Sequence, residues 1–269
     1  MNIKAIVKVM NFHAIIRVEK AHRQADKYLR LEKEVARMID IIENNRNFIL
    51  DKRVFQLEDG AGRLRIYIGS DLGFCGAVNA SVNQELAKED PNNTIIVIGK
   101  KIHDYDFIDF NISRDEFESR YPEIQKYFYE AVHERKYSGI DIFYDHYYNM
   151  SHIEPMSKTI FPVHFNKDEY KDGAVETYRE DFFVEGGNVD TLIENLFITY
   201  LNYELKSAAV NAFASENILR QNATNQSLKK IEEKEVEARW EEHKLRGDIA
   251  AKRIQDSFTK NKYREKKEH

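Results

Sequence analysis

The last 82 residues of the chain, 188–269, read NVDTLIENLFITYLNYELKSAAVNAFASENILRQNATNQSLKKIEEKEVEARWEEHKLRGDIAAKRIQDSFTKNKYREKKEH. They contain no proline and a single glycine, Gly247. Apolar or small residues recur every three or four positions, which is the spacing of one face of an α-helix. The recurring positions are Leu192, Leu196, Tyr200, Tyr203, Ser207, Val210, Ala214, Asn217, Leu228, Ile231 and Val236. A continuous helix here would measure about 120 Å, so we expect most of it to lie against another helix or inside a partner.

Glycine and proline divide the chain into three parts. Residues 1–59 contain neither, and residues 60–187 contain all four prolines and ten of the eleven glycines. Because these residues mark turns and loops, we predict an N-terminal helical arm (1–59), a central globular domain (60–187) and a long C-terminal helical arm (188–269). The central part is acidic, with 14 basic against 23 acidic side chains, whereas the arms are near neutral or slightly basic. This difference suggests that each part has different surroundings.

The N-terminal arm has apolar and small residues at intervals that are mostly three, four or seven. They are Ile3, Val7, Met10, Ala14, Ala21, Ala25, Tyr28, Val35, Met38 and Ile42. This spacing is typical of a coiled-coil seam, and the alternative is an amphipathic helix packed on its own domain. Because both arms are rooted in the same central domain, we expect them to pair as an antiparallel coiled coil.

The central part alternates between strand and helix patterns. We predict strands at 63–69, 93–99, 107–112, 140–144, 156–163 and 182–184, and helices at 77–87, 100–104 and 122–135. The segment 93–99 is a continuous apolar run, which suits a buried parallel strand. Alternating strands and helices predict an α/β fold with a layered, Rossmann-like central domain.

Composition excludes several classes of function. The formal net charge is −5, which gives no case for binding nucleic acid. No apolar run approaches 18 residues, so no membrane span is predicted, and the N-terminus lacks the apolar core of a signal peptide. The single cysteine, Cys75, excludes an internal disulfide and a cysteine-based zinc site. We expect a cytoplasmic location.

No set of residues in the sequence forms a catalytic pattern. The glycine-rich turn 69–76 lies where phosphate-binding loops occur, but it matches neither G-x-G-x-x-G nor G-x-x-x-x-G-K-[ST], so we interpret it as structural. Cys75 fits a small buried side chain better than a nucleophile. Asp141 and Asp145 share one strand face, which we expect to be solvated, and Trp240 is expected to be a packing anchor. No catalytic residue, cofactor site or metal site is predicted.

Two motifs carry a family resemblance. The segment Ser70-Asp-Leu-Gly-Phe-Cys-Gly-Ala-Val-Asn79 resembles the S-D-[RK]-G-L-C-G-x-x-N signature of the gamma subunit of F-type ATP synthases. Ala214-Ser-Glu-Asn217 and Asn222-Ala-Thr-Asn225 resemble that family's A-S-E-H and N-A-T-D-N. The order of helix, α/β middle and long helix agrees as well, so the resemblance covers nearly the whole chain. The turn positions that match or shape the signature are Ser70, Asp71, Gly73, Cys75, Gly76 and Asn79.

The resemblance implies a central rotor shaft that is itself not catalytic. The terminal helices would stand inside a hexamer of alpha- and beta-like ATPase subunits, which would carry out ATP synthesis or hydrolysis. The globular foot would meet an epsilon-like subunit, with contact to a membrane ring left open, and the complex would lie at the inner face of the cell membrane. The residues expected to contact the ring are Arg17, Lys20, Arg239, Glu242, Lys244 and Arg246.

Departures from the family pattern keep other readings open. Glu241-Glu-His243 stands near the family's basic A-R-Q, Leu72 replaces a basic residue of the turn, and residues 259–269 are strongly charged where the family is apolar. One alternative is the shaft of a specialised F-type-like ATPase that drives motility or another process instead of ion transport. A second is a non-rotary coiled-coil adaptor, and a third is a nucleotide-binding enzyme that uses the glycine turn.

Overall fold

A computed structural model of the chain describes residues 3–43, 62–76, 78–149, 152–162 and 188–265, with side chains as far as residue 258. The predicted strand at 182–184 and the side chains of the charged tail 259–269 lie outside this description. The elements in chain order are α1 (Ile3–Glu43), β1 (Leu64–Ile68), α2 (Val78–Leu86), β2 (Thr94–Ile98), β3 (Phe110–Ile112), α3 (Phe117–His133), β4 (Ile140–Asn149), β5 (His152–Phe161) and α4 (Val189–Glu265).

The long C-terminal helix is confirmed. α4 runs for 77 residues without interruption and passes through Gly247 as helix. The helix begins directly after Asn188, which follows Gly187 in the sequence. The Asn188 Oδ1 atom accepts the backbone N–H of Asp190 at 3.0 Å and so caps the helix. Such a bond satisfies one of the N–H groups that the first helical turn leaves without a partner.

The central part is a five-stranded sheet in the order β3-β2-β1-β4-β5. β1 pairs in parallel with β2 and β4, β2 pairs in parallel with β3, and β4 forms an antiparallel hairpin with β5. The last four residues of β2 are buried, as its apolar sequence predicts for a strand covered on both faces. The predicted α/β fold is therefore confirmed.

Alternate residues of β1 face two separate apolar clusters. Ile66 belongs to a large cluster with Ile39 of α1, Ile124 of α3 and Leu201 of α4. Tyr67 points the other way, into a smaller cluster that includes residues of α2 and β2. The period of two along a strand explains this division, and it places the two long helices on one face of the sheet.

Two compact units are distinguished along the chain, one from residues 1–11 and 224–269 and the other from residues 12–223. In the first unit, Lys4 Nζ donates to Glu235 Oε2 at 2.8 Å, and Asn11 Nδ2 donates to Asn225 Oδ1 at 2.8 Å. Residue numbers on α1 therefore fall as those on α4 rise, and the expected antiparallel pairing of the helices is confirmed. Beyond Glu235, all described side chains of α4 are exposed.

Several local predictions are wrong. Residues 100–104 form turns instead of a helix, and α3 begins at Phe117 and contains Pro122 instead of starting there. Asp141 and Asp145 are buried, not solvated, and Asp141 Oδ1 accepts bonds from Arg63 Nη2 at 2.7 Å and Thr159 Oγ1 at 2.7 Å. Trp240 is 75% exposed, so it does not anchor packing within the chain. In the described ranges, no helix is long and apolar enough to cross a membrane.

Candidate functional site

The glycine turn that follows β1 is closed by a network of short-range hydrogen bonds. Asn79 Oδ1 accepts the backbone N–H of Ser70 at 3.0 Å, while Asn79 Nδ2 donates to Ser70 Oγ at 2.8 Å. The same hydroxyl donates to the Leu72 carbonyl at 2.8 Å and lies 3.3 Å from Cys75 Sγ. Ser70 and Cys75 are buried, as predicted for the thiol. The polar side chains of this motif thus hydrogen-bond to one another and to the backbone of the turn, and these bonds fix its conformation.

Asp71 ties the turn to the loops that follow β2 and β3. Its carboxylate accepts the backbone N–H of Lys100 at 2.9 Å and that of Arg114 at 3.1 Å. Asp71 therefore holds the turn against the ends of β2 and β3, which is a structural role.

The turn contacts α4 directly. Arg220 Nε of α4 donates to the Gly73 carbonyl at 3.3 Å, and Ser215 Oγ donates to the Asp145 carbonyl at 2.8 Å. Gly76 has a φ of +64° and faces Leu219, whose methyl groups lie 3.9 Å from the position of a Cβ atom. The 70–79 motif therefore contacts α4 at Leu219 and Arg220, directly after the 214–217 motif.

A buried ion triad underlies this contact. Glu216 Oε2 accepts Arg114 Nη1 at 2.9 Å, and Glu216 Oε1 accepts Arg220 Nη2. The side chains of Arg114, Glu216 and Arg220 are only 13%, 4% and 5% exposed. Arg114 also donates to the Ala209 carbonyl at 2.6 Å. Burial lowers the pKa of the Arg114 guanidinium from its usual value, while Glu216 and, at longer range, Asp71 oppose this change. We call the turn and this triad the turn–helix junction.

The sequence interpretation did not assign a role to any member of the triad. The sequence does contain one indication of it. Glu216 lies next to Asn217 of the apolar stripe of α4, and Arg220 lies four residues after Glu216. Residues four apart on a helix are neighbours on its surface, so this ion pair could have been inferred. Arg114 could not, because it comes from a different part of the chain.

The junction directs two apolar side chains outward. Leu72 and Phe74 are 50% and 66% exposed, although the backbone that carries them is held by the network described above. Phe74 has a φ of +62°, which lies in the left-handed region that residues other than glycine rarely adopt. The turn therefore holds a bulky residue at a strained and exposed position.

We expect Phe74→Gly to raise the stability of the chain slightly. Relief of the left-handed backbone is worth about 1–2 kcal/mol, and the greater freedom of glycine in the unfolded chain offsets about half of it. Urea unfolding followed by circular dichroism measures the change. The control is Leu72→Gly, at a neighbouring exposed residue without a positive φ, which should destabilise slightly. A Phe74→Gly chain that is less stable than its parent would contradict the strain.

The residues expected to contact a surrounding ring are all exposed. Arg17 and Lys20 lie on α1, and Arg239, Glu242, Lys244 and Arg246 lie on α4. Arg246 Nη2 donates to Glu242 Oε1 at 2.6 Å, and Arg239 Nε donates to the Glu235 carbonyl at 3.3 Å. The structure thus leaves their outer surfaces open, and their contacts with a ring remain a prediction.

Residues 236–258 of α4, which we call the distal segment, carry exposed apolar side chains on opposite sides. Trp240 and Ile249 are nine residues apart, or about two and a half turns, so they point in opposite directions. Phe258 lies 18 residues after Trp240, about five full turns, and returns to the first side. The exposed apolar residues of the segment are Val236, Trp240, Leu245, Ile249, Ile254 and Phe258.

Comparison with known proteins gives consistent results. Residues 1–247 match the family described as ATP synthase. The chain is 24% identical over 254 residues to the ATP synthase gamma chain of Wolbachia sp. subsp. Brugia malayi (strain TRS), covering 86% of this chain and 85% of that protein. It is 26% identical over 249 residues to the ATP synthase gamma chain of Mycoplasmoides gallisepticum, with coverage of 85% and 83%.

Solved structures show the same fold. A chain of the Euglena gracilis mitochondrial ATP synthase rotor superposes with a TM-score of 0.55 at 19% identity, covering 91% of this chain and 94% of that one. A chain of the Tetrahymena thermophila mitochondrial ATP synthase central stalk and c-ring gives a TM-score of 0.54 at 17% identity, with coverage of 82% and 99%.

Proposed function

The chain belongs to the ATP synthase gamma-subunit family, and we propose that the distal segment of its long helix turns inside a ring of alpha- and beta-like subunits. As a gamma-family member it is the central rotor shaft of an F-type ATP synthase and a non-catalytic subunit. ATP synthesis or hydrolysis takes place on the partner subunits in this proposal. Rotation of the shaft couples their catalytic sites to torque.

The placement of apolar residues on the distal segment is the observation that carries this proposal. A helix that packs on one partner surface has its apolar residues on one side only. The distal segment has Val236 and Trp240 on one side and Leu245 and Ile249 on the other, and all four are exposed. Apolar side chains in both directions fit a helix that is enclosed by its partner.

The central sheet domain supplies the foot in this proposal. The turn–helix junction fixes the sheet to α4 through Arg220 and the buried Glu216, so torque on one would pass to the other. The acidic central part is suited to a partner of its own, which we infer to be an epsilon-like subunit. A place for the complex at the inner, cytoplasmic face of the cell membrane, and contact of the foot with a membrane ring, belong to the same proposal.

Paired substitutions on the two sides of the distal segment test enclosure. We expect both Val236→Ser/Trp240→Ser and Leu245→Ser/Ile249→Ser to reduce co-purification with co-expressed alpha and beta subunits by about tenfold or more, because complete burial of one large apolar side chain contributes about 1.5–3 kcal/mol. Quantitative pull-down of the tagged chain measures the loss.

The control for this experiment is Glu237→Gln, an exposed polar change on the same segment. If only one pair of substitutions weakens the complex, the partner lies on one side and does not enclose the helix. If the parent chain is recovered as a free dimer without alpha and beta subunits, the proposed shaft function is wrong and the adaptor alternative gains support.

A further inference from the structure

Three elements of the second compact unit meet at a polar cluster beneath the paired helices. Lys158 of β5 donates from Nζ to both carboxylate oxygens of Glu204 on α4, each at 2.7 Å. Tyr200, one turn earlier on α4, donates its hydroxyl to Glu204 Oε1 at 2.6 Å. Glu32 of α1 lies on the other side of the ammonium group, with its Oε1 atom 4.0 Å from Lys158 Nζ. Glu204 therefore has the closer partners and Glu32 the weaker ones.

The cluster holds two carboxyl groups, those of Glu32 and Glu204, beside the single ammonium group of Lys158. Only Glu204 is within hydrogen-bonding distance of that group. Glu204 is 3% exposed and Glu32 is 9% exposed, so solvent compensates a second negative charge only weakly. A buried carboxylate without a partner is unfavourable, and the usual outcome is that the group keeps its proton. Burial first, and the nearby Glu204 second, raise the pKa of Glu32 to about 8, although Lys158 opposes the shift.

We propose that α1 is fastened to α4 by a proton-dependent junction, in which a neutral Glu32 packs beside the Glu204–Lys158 pair and loosens the helix contact when it loses its proton. In the neutral state Glu32 can share its proton with Glu204, which joins the two helices. In the ionised state two buried carboxylates compete for one ammonium group.

Other titratable groups face the same place. A cavity of about 420 Å³ beside Glu32 gives water a route to the ionised carboxylate. Burial raises the pKa of Tyr144 and lowers that of His146, which moves both away from the neutral to mildly alkaline range. The other groups that line the cavity are His22, Asp26 and Lys33 of α1 and Tyr147 and Tyr148 of β4.

The direction of the pH effect follows from linkage. The folded chain holds the Glu32 proton more tightly than the unfolded chain, in which the pKa is near 4.5. The stabilisation is therefore complete below pH of about 4.5 and is lost as the pH rises to about 8. Asp145, whose pKa burial raises to about 6, acts in the same direction but over a more acidic range. Between pH 6.5 and 8.5, Glu32 therefore contributes more to the pH dependence than Asp145 does.

Thermal unfolding of the full chain across this interval tests the junction. We expect the melting temperature of the parent to fall by about 4 °C between pH 6.5 and 8.5, and that of Glu32→Gln to stay nearly constant. Glu204→Gln should also remove the dependence, because Glu32 can then ionise beside Lys158. Asp26→Asn and His22→Gln change exposed residues that line the same cavity, and their melting temperatures should fall with pH as that of the parent does.

A second measurement does not depend on the stability of a variant. The side-chain carboxyl ¹³C resonance of Glu32, assigned by its absence in Glu32→Gln, should titrate with a midpoint near 8. The proposal would be overturned if the melting temperatures of the parent and Glu32→Gln changed equally with pH. It would also be overturned by a ¹³C titration midpoint in the ordinary range of glutamate. Neither readout involves ATPase subunits, so the result is independent of the shaft function.

Discussion

Replacing Glu216 with alanine is expected to destabilise the chain by about 3–5 kcal/mol, as is typical when one partner of a buried ion pair is removed. The substitution leaves the guanidinium groups of Arg114 and Arg220 buried without their shared carboxylate. It also releases the hold of Arg220 on the Gly73 carbonyl. Chemical denaturation of the full chain measures the loss, and in an assembled ATPase we expect weaker coupling between rotation and catalysis.

The control for this prediction is Glu118→Ala, an exposed carboxylate on α3, which should change stability by less than about 0.5 kcal/mol. A triple variant, Arg114→Met/Glu216→Leu/Arg220→Met, replaces the three charged side chains of the triad by apolar ones and should recover most of the lost stability. A cost below about 1 kcal/mol for Glu216→Ala would mean that the triad is not desolvated as the structure describes.

Replacing Ser227 with proline is expected to break α4 at a cost of about 3 kcal/mol or more. Proline removes the N–H that bonds four residues back, and its ring clashes with the carbonyl at that position. Ser227 lies between the Asn11–Asn225 contact and the distal segment, so the break separates that segment from the helix before it. Loss of ATP-driven ion transport with retained ATP hydrolysis, measured on the assembled complex, is the expected result.

Ser227→Ala is the matched control, since alanine favours helix and keeps the backbone N–H. It should leave circular dichroism and coupling as in the parent. Unchanged coupling in the proline variant would argue that the helix does not transmit torque. Both substitutions remove the Ser227 hydroxyl, so a difference between them is assigned to the missing N–H and the ring of proline, which interrupt the helix.

The larger elements were predictable because their signals are local. The long run without proline predicts α4, and the apolar run at 93–99 predicts a buried parallel strand, which is β2. The sequence predicts a helix that starts at Pro122, whereas α3 already begins at Phe117 and contains this proline. Propensity marks proline as unfavourable within a helix, and here the packing of Phe117 and Tyr121 in the core accompanies the longer helix.

The contacts of the site depend on pairs that are far apart in sequence. Arg114 and Glu216 are separated by 102 residues, and the sequence around either residue does not indicate that the two are in contact. Asp141 was expected to be solvated because a charge on a strand usually is, but the sequence alone does not show that Arg63 lies beside it. Trp240 was expected to pack because the register was unknown. In the structure, Lys4 of α1 contacts Glu235, and Trp240 is 75% exposed.

The single thiol of the chain makes the glycine turn accessible to chemical observation. Cys75 is 3% exposed and lies against Ser70 Oγ, so a thiol reagent can modify it only when the turn opens. The rate of modification in the native protein therefore measures the free energy of local opening at the point where the sheet meets α4. A cysteine introduced at an exposed position such as Glu242 would react much faster, which allows site-specific labels on the helix without replacing Cys75.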